Sequence, residues 1–107
     1  MIQIQIITKR PEQVEEIVVM LINANLMTDV TVTDTATSFK GIGAEIETDL
    51  TNLIIGRTKA ILFSKVEQML EEKYGDDMPV VYGMPIINMD LRHLEKLNNV
   101  IDTKVAC

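Results

Sequence analysis

Ile2, Ile4 and Ile6 alternate with Gln3 and Gln5, and a period of two over this length puts the isoleucines on one face of a strand and the glutamines on the other. The period then changes. Pro11 fixes a helical φ at a first-turn position, and Glu12, Glu15 and Glu16 sit toward the positive end of the helix dipole. Val14, Ile17, Val18, Leu21 and Ile22 recur at spacings of three and four, the stripe of a helix with one buried side, and Asn23 and Asn25 mark its end. Alternation returns from Thr28 to Lys40, with Val30 and Val32 on one face and Asp29, Thr31, Thr33, Thr35 and Thr37 on the other. Gly41 and Gly43 relax the backbone where a hairpin must turn. Ala44 to Arg57 is the predicted partner strand, ending in the apolar run Leu53, Ile54, Ile55.

A second helix is predicted from about Lys59 to Lys73, with Leu62, Val66, Met69 and Leu70 inward and Gly75 as a left-handed stop. Pro79 to Ile87 reads as a fourth strand whose prolines keep its ends at an edge or outside the ladder. A last helix from Asp90 to about Ile101 carries Leu91, Leu94, Leu97 and Ile101, with Asn88 or Asp90 as its cap. The order β-α-β-β-α-β plus a C-terminal helix predicts an α+β fold, a ferredoxin-like sandwich with an antiparallel sheet. At 107 residues the chain fits one domain, 1–107, able to bury a core without disulfide or metal staples. With only four aromatics and seven methionines, that core has to be aliphatic.

Two helices cover one face of a four-stranded sheet. Gln3, Gln5, Thr31 and Thr33 suit a solvated opposite face. Ile7, one side of Leu53 to Ile55 and one side of Val80, Val81 and Tyr82 do not all fit beneath the helices, and long second and third strands leave an edge that proteins usually cover. A closed homo-oligomer is the expected partner.

Charge narrows the other partners. Sixteen acidic against ten basic residues give a net charge of -6, which opposes nonspecific binding to nucleic acid or an anionic membrane. No apolar run approaches a bilayer span. The chain opens on a strand pattern without a basic and apolar leader, and its single cysteine, Cys107, allows no internal disulfide. A cytoplasmic protein is expected.

Several stretches, in chain order, resemble the CutA family of divalent-cation tolerance proteins. They are Thr8-Lys9-Arg10-Pro11 before the Glu-rich first helix, Leu26 to Val32, Ser38-Phe39-Lys40 with Gly43, Leu53-Ile54-Ile55 leading through Arg57-Thr58-Lys59, Met78-Pro79-Val80-Val81, and Met84-Pro85-Ile86. The resemblance implies a non-enzymatic homotrimer related in fold to the PII signal proteins, with cations or a small molecule bound between subunits. It aligns Asp29 with the family's cysteine, Gly41 with its tryptophan, and Tyr74-Gly75-Asp76-Asp77 with its His-Pro-Tyr-Glu stretch, where Asp77 alone keeps the carboxylate character.

Copper or zinc calls for imidazole or thiolate ligands, and the chain offers His93 and Cys107. Oxygen ligands for a hard divalent cation are more abundant: Asp76 and Asp77 share a turn, and Asp29 is a candidate to approach from a strand. Asp29, Asp76, Asp77 and His93 are therefore the candidate metal residues, against the plainer readings of a solvated turn and an interface histidine. Glu45, Glu47 and Asp49 share a strand face as a charged outer row. Ser38 and Ser64 have no local base, so nucleophilic catalysis is unsupported. A PII-like sensor of a nucleotide or other small effector is the alternative, although the connection between strands two and three is short for such a loop.

Overall fold

The computed structural model describes residues 1–101; Cys107 lies outside them. In chain order the elements are β1 (Ile2–Thr8), α1 (Pro11–Asn23), β2 (Thr28–Ile42), β3 (Glu45–Thr58), α2 (Phe63–Tyr74), β4 (Val80–Pro85) and α3 (Leu91–Val100). Short 3-10 turns at Ala60–Leu62 and Gly75–Asp77 flank α2. The strands form one sheet in the order β2-β3-β1-β4, antiparallel at every step. This is the α+β, ferredoxin-like arrangement that the sequence pattern predicts.

The alternation of β1 becomes burial directly. Ile4 and Ile6 are wholly buried, paired with Gly56 and Ile54 of β3 on the helix side of the sheet. Ile17 and Leu21 of α1, Val66 and Leu70 of α2, and Leu26 and Met27 of the loop between α1 and β2 close over them. Each such side chain contributes about 1.5–3 kcal/mol through burial. Gly56 leaves room for the terminal methyl of Met27, which a Cβ at that position would displace.

Register decides what the other face holds. Gln3, Gln5 and Ile7 stand opposite Arg57, Ile55 and Leu53 on one side and Met84, Tyr82 and Val80 on the other. Across this open face the Tyr82 hydroxyl donates to the Gln5 side-chain carbonyl. The sequence expectation that Ile7 and parts of the apolar runs fall outside the helical layer holds residue by residue.

Strand β2 departs from simple alternation. Its register slips between Thr28 and Thr31 and again between Thr33 and Ala36, where Asp29 and Thr35 take left-handed φ of 52° and 57°. Each bulge inserts one residue and reverses the facing of the residues beyond it. Val30 and Val32 keep the helix side, as predicted, but Thr37 does not share a face with Thr31 and Thr33. Ala36, Ser38, Lys40 and Ile42 take the open side instead, as their β3 partners Thr51, Asp49, Glu47 and Glu45 require. The turn falls at Gly43 and Ala44, with Gly43 at φ 62°, while Gly41 stays within the strand.

The distal halves of β2 and β3 thus form an arm beyond the helical layer, in a molecule measuring 46 × 29 × 21 Å. On its helix-side surface Phe39, Ile46 and Leu50 are 73, 74 and 62% exposed.

After Pro85 the chain turns back, with the Ile86 amide donating to the Met1 carbonyl, and reaches α3. Asp90 caps that helix by accepting from the His93 amide at 3.0 Å. Leu97 and Ile101 are buried, whereas Leu91 is exposed, so α3 uses only the C-terminal half of its apolar stripe.

Candidate functional site

The two ends of β1 carry different polar chemistry. At its first end, Gln3 and Arg57 rise from the open face as a cross-strand pair. The segment that leads into α3 folds beside them, and together they enclose a cleft of about 560 Å³ lined by Gln3, Arg57, Ile86, Asn88, Met89, Asp90 and His93. Arg57 reaches Asp29 with one terminal nitrogen at 3.5 Å. Its Nε is buried without a hydrogen-bond partner among the described residues. Left-handed backbone at Asp29, a conformation that Asp tolerates better than most residues, aims this carboxylate from the bulge toward Arg57.

On the opposite wall, the His93 ring meets the Asp90 carboxylate through Nδ1 at 2.6 Å. Asp90 Oδ2 thus serves the cap and the ring together. The His93 amide, and then its ring, hold the Asp90 carboxyl below the usual aspartate range, because both stabilise the ionised form.

At the far end of β1 the polar groups are tied to one another. Thr8 Oγ1 donates to Gln13 Oε1 at 2.6 Å, and Gln13 Nε2 donates to the Asp77 carbonyl at 3.2 Å. Asn52 Nδ2 donates to the Thr8 carbonyl at 3.4 Å. Arg10 pairs with the Asp77 carboxylate at 3.1 Å. Gln13, on the α1 face that the apolar stripe would reserve for aliphatics, is buried because this network satisfies it. Nearby, Tyr74 donates to Glu16 at 3.1 Å. Partial burial, and then the Glu16 hydrogen bond and charge, push the Tyr74 hydroxyl up to about 12.

The four candidate metal residues therefore fall in two places, Asp29 and His93 beside the cleft and Asp76 and Asp77 in the far turn. Asp29 faces Arg57, His93 faces Asp90, Asp77 faces Arg10, and Asp76 lies exposed in the turn beside it. The Asp29 and Asp77 ends are five positions apart along β1, roughly 17 Å at the usual strand rise. Among the described residues no three of His, Cys, Asp and Glu gather as ligands. Two of the four carboxylate or imidazole groups already neutralise an arginine. This donor set does not fit a divalent cation within one chain. The structure adds Arg57 and Gln3 to the cleft, which sequence reasoning misses as site residues, since only the β1–β3 register makes them neighbours.

Among the described residues, no helix is long and apolar enough to cross a membrane. No protein-family model matches the sequence, and no curated protein matches it. Solved structures do. CutA1 from Oryza sativa is 22% identical, with a TM-score of 0.82 over 94% of this chain and 93% of that one. The divalent cation tolerance protein from Thermus thermophilus is 19% identical, with a TM-score of 0.82 over 95% of this chain and all of that one. The periplasmic divalent cation tolerance protein CutA from Archaeoglobus fulgidus is 20% identical, with a TM-score of 0.81 over 95% of this chain and all of that one. At such low identity, agreement along both whole chains establishes architecture: this chain has the fold of the CutA divalent cation tolerance proteins.

Proposed function

We propose that the chain is a divergent CutA-like protein that works as a non-enzymatic, cytoplasmic homotrimer with a task tied to divalent cations. The observation that carries this reading is the uncovered apolar surface on a fold shared with CutA1 proteins over the whole chain. Ile7, Leu53, Ile55, Val80, Tyr82 and Met84 occupy the open face, and Phe39, Ile46 and Leu50 extend along the arm. Surface of this kind on a small domain calls for a partner, and identical copies in closed symmetry bury both the face and the strand edges. A cation would be held by residues from more than one copy, because one chain gathers no ligand set among its described residues. Asp29, Asp76, Asp77 and His93 remain the residues proposed for it.

Light scattering on the eluted protein should give three times the 12.0 kDa chain mass, and calorimetry with zinc, copper and magnesium should show saturable heat in at least one case. A monomer at micromolar concentration removes the reading. A trimer without heat keeps the assembly and removes the cation. The PII-like alternative lacks support in the two-residue turn between Ile42 and Glu45, which leaves no effector loop. No heat with ATP or ADP is expected.

A further inference from the structure

The cleft at the Gln3 end of the open face is lined by polar side chains whose hydrogen-bonding capacity the fold leaves unused. Arg57 carries five N–H donors. Among the described residues its one charged partner is Asp29, at the long distance of 3.5 Å, and its Nε has no acceptor. The side-chain amides of Gln3 and Asn88 make no hydrogen bond to another described residue. Asp90, the single acid in the lining, already receives the amide and the ring of His93 at 3.0 and 2.6 Å. The half-buried Arg57 and Gln3 thus keep donors without acceptors among the described residues, which marks a place where a ligand or ordered water supplies them, and the exposed Asn88 adds a further amide at the rim.

Charge sets the class of guest. Arg57 contributes one positive charge, and the carboxylates of Asp29 and Asp90 stand close enough to repel a second or third negative charge. A planar monoanion that matches the guanidinium fork is favoured over a phosphate dianion. Ile86 and Met89 add an apolar wall, and about 560 Å³ is within the range of small-ligand sites. We infer that this cleft binds a small organic monocarboxylate, its carboxylate on Arg57 and the amides of Gln3 and Asn88, its carbon chain against Ile86 and Met89. Every lining residue belongs to one chain, so the inference rests neither on self-association nor on cation binding.

Nuclear magnetic resonance of the full chain, titrated with butyrate, acetate and inorganic phosphate, tests it. Butyrate should move the side-chain amide signals of Gln3 and Asn88 and the Arg57 Nε–H saturably, with a dissociation constant on the order of millimolar. Acetate should bind several-fold more weakly for lack of a stem, and phosphate more weakly still. Arg57→Gln should weaken butyrate by at least about tenfold, and Asp29→Asn, which frees Arg57, should tighten it. Gln3→Ala leaves the Arg57–Asp29 pair in place and should weaken butyrate about threefold; it decides the matter if Arg57→Gln does not fold. Three results overturn the inference: no saturable shift with butyrate, phosphate binding as tightly as butyrate, or folded Arg57 and Gln3 variants that both keep the original affinity.

Discussion

The two halves of β3 have similar alternation and opposite fates. From Thr51 to Thr58 the strand runs under the helices, and the helix-side residues Asn52, Ile54, Gly56 and Thr58 are buried while Leu53, Ile55 and Arg57 are half-exposed. From Glu45 to Leu50 every residue is exposed, although Ile46 and Leu50 are spaced as regularly as the isoleucines of the body. Strand β2 pairs along both halves, with the bulge between Thr33 and Ala36 falling where they meet. What differs is whether a helical layer lies above. A period of two specifies which side chains share a face, and burial results only where another element covers that face.

Substituting matched residues in the two halves gives the largest effects. Ile54→Ala should lower unfolding stability by about 2–5 kcal/mol, the usual range for truncating a fully buried isoleucine, in denaturant titrations at every protein concentration. Ile46→Glu should leave the dilute chain's stability within about 0.5 kcal/mol and show instead as a fall in light-scattering mass. If Ile46→Glu unfolds the dilute chain as Ile54→Ala does, the arm belongs to the body and the contrast between the halves fails.

The glycines sharpen the same contrast at lower amplitude. Gly56→Ala pushes a Cβ into the terminal methyl of Met27, itself buried in the core, and should cost about 1–3 kcal/mol through overpacking. Gly41→Ala meets nothing within 4 Å and should be neutral or stabilise by about 0.4–1 kcal/mol through the unfolded chain. Thermal unfolding of both variants, measured side by side, is sufficient.

Smallest is the effect at α3, which is held by Leu97 and Ile101 at one end and by a solvent-exposed cap at the other. Because the Asp90 carboxyl titrates below the usual aspartate value, its stabilisation is complete above that value and is lost as pH falls through the lowered one. Protection of the His93 and Leu94 amides, measured relative to intrinsic exchange at each pH, should fall at acid pH in the native protein. Asp90→Ala should show the lower protection already at neutral pH and little further acid dependence. Equal acid sensitivity in both proteins would assign the effect to another carboxylate.

The candidate site was legible only in pieces. Asp90 is readable as a cap from its place before Leu91, and His93 enters because a cap accepts from the amide three residues on. Asp76 and Asp77 are equally visible as an acidic turn, but nothing local reveals that Arg10 and Gln13 reach the second of them. Gln3 and Arg57 lie 54 positions apart in sequence, and their adjacency depends on a strand register that is set by the whole sheet. The unused donors of the cleft are a property of that adjacency.

Local pattern by itself determined the order of elements, the inward face of β1 and of both covering helices, and the existence of an unfinished sheet face, because those arise from periods of two and 3.6 within single segments. Tertiary structure alone decided where the arm leaves the body, which way its side chains point after the bulges at Asp29 and Thr35, and which arginine meets which carboxylate. One inserted residue reverses every side chain beyond it, and whether a bulge forms is settled by pairing with a strand many residues away.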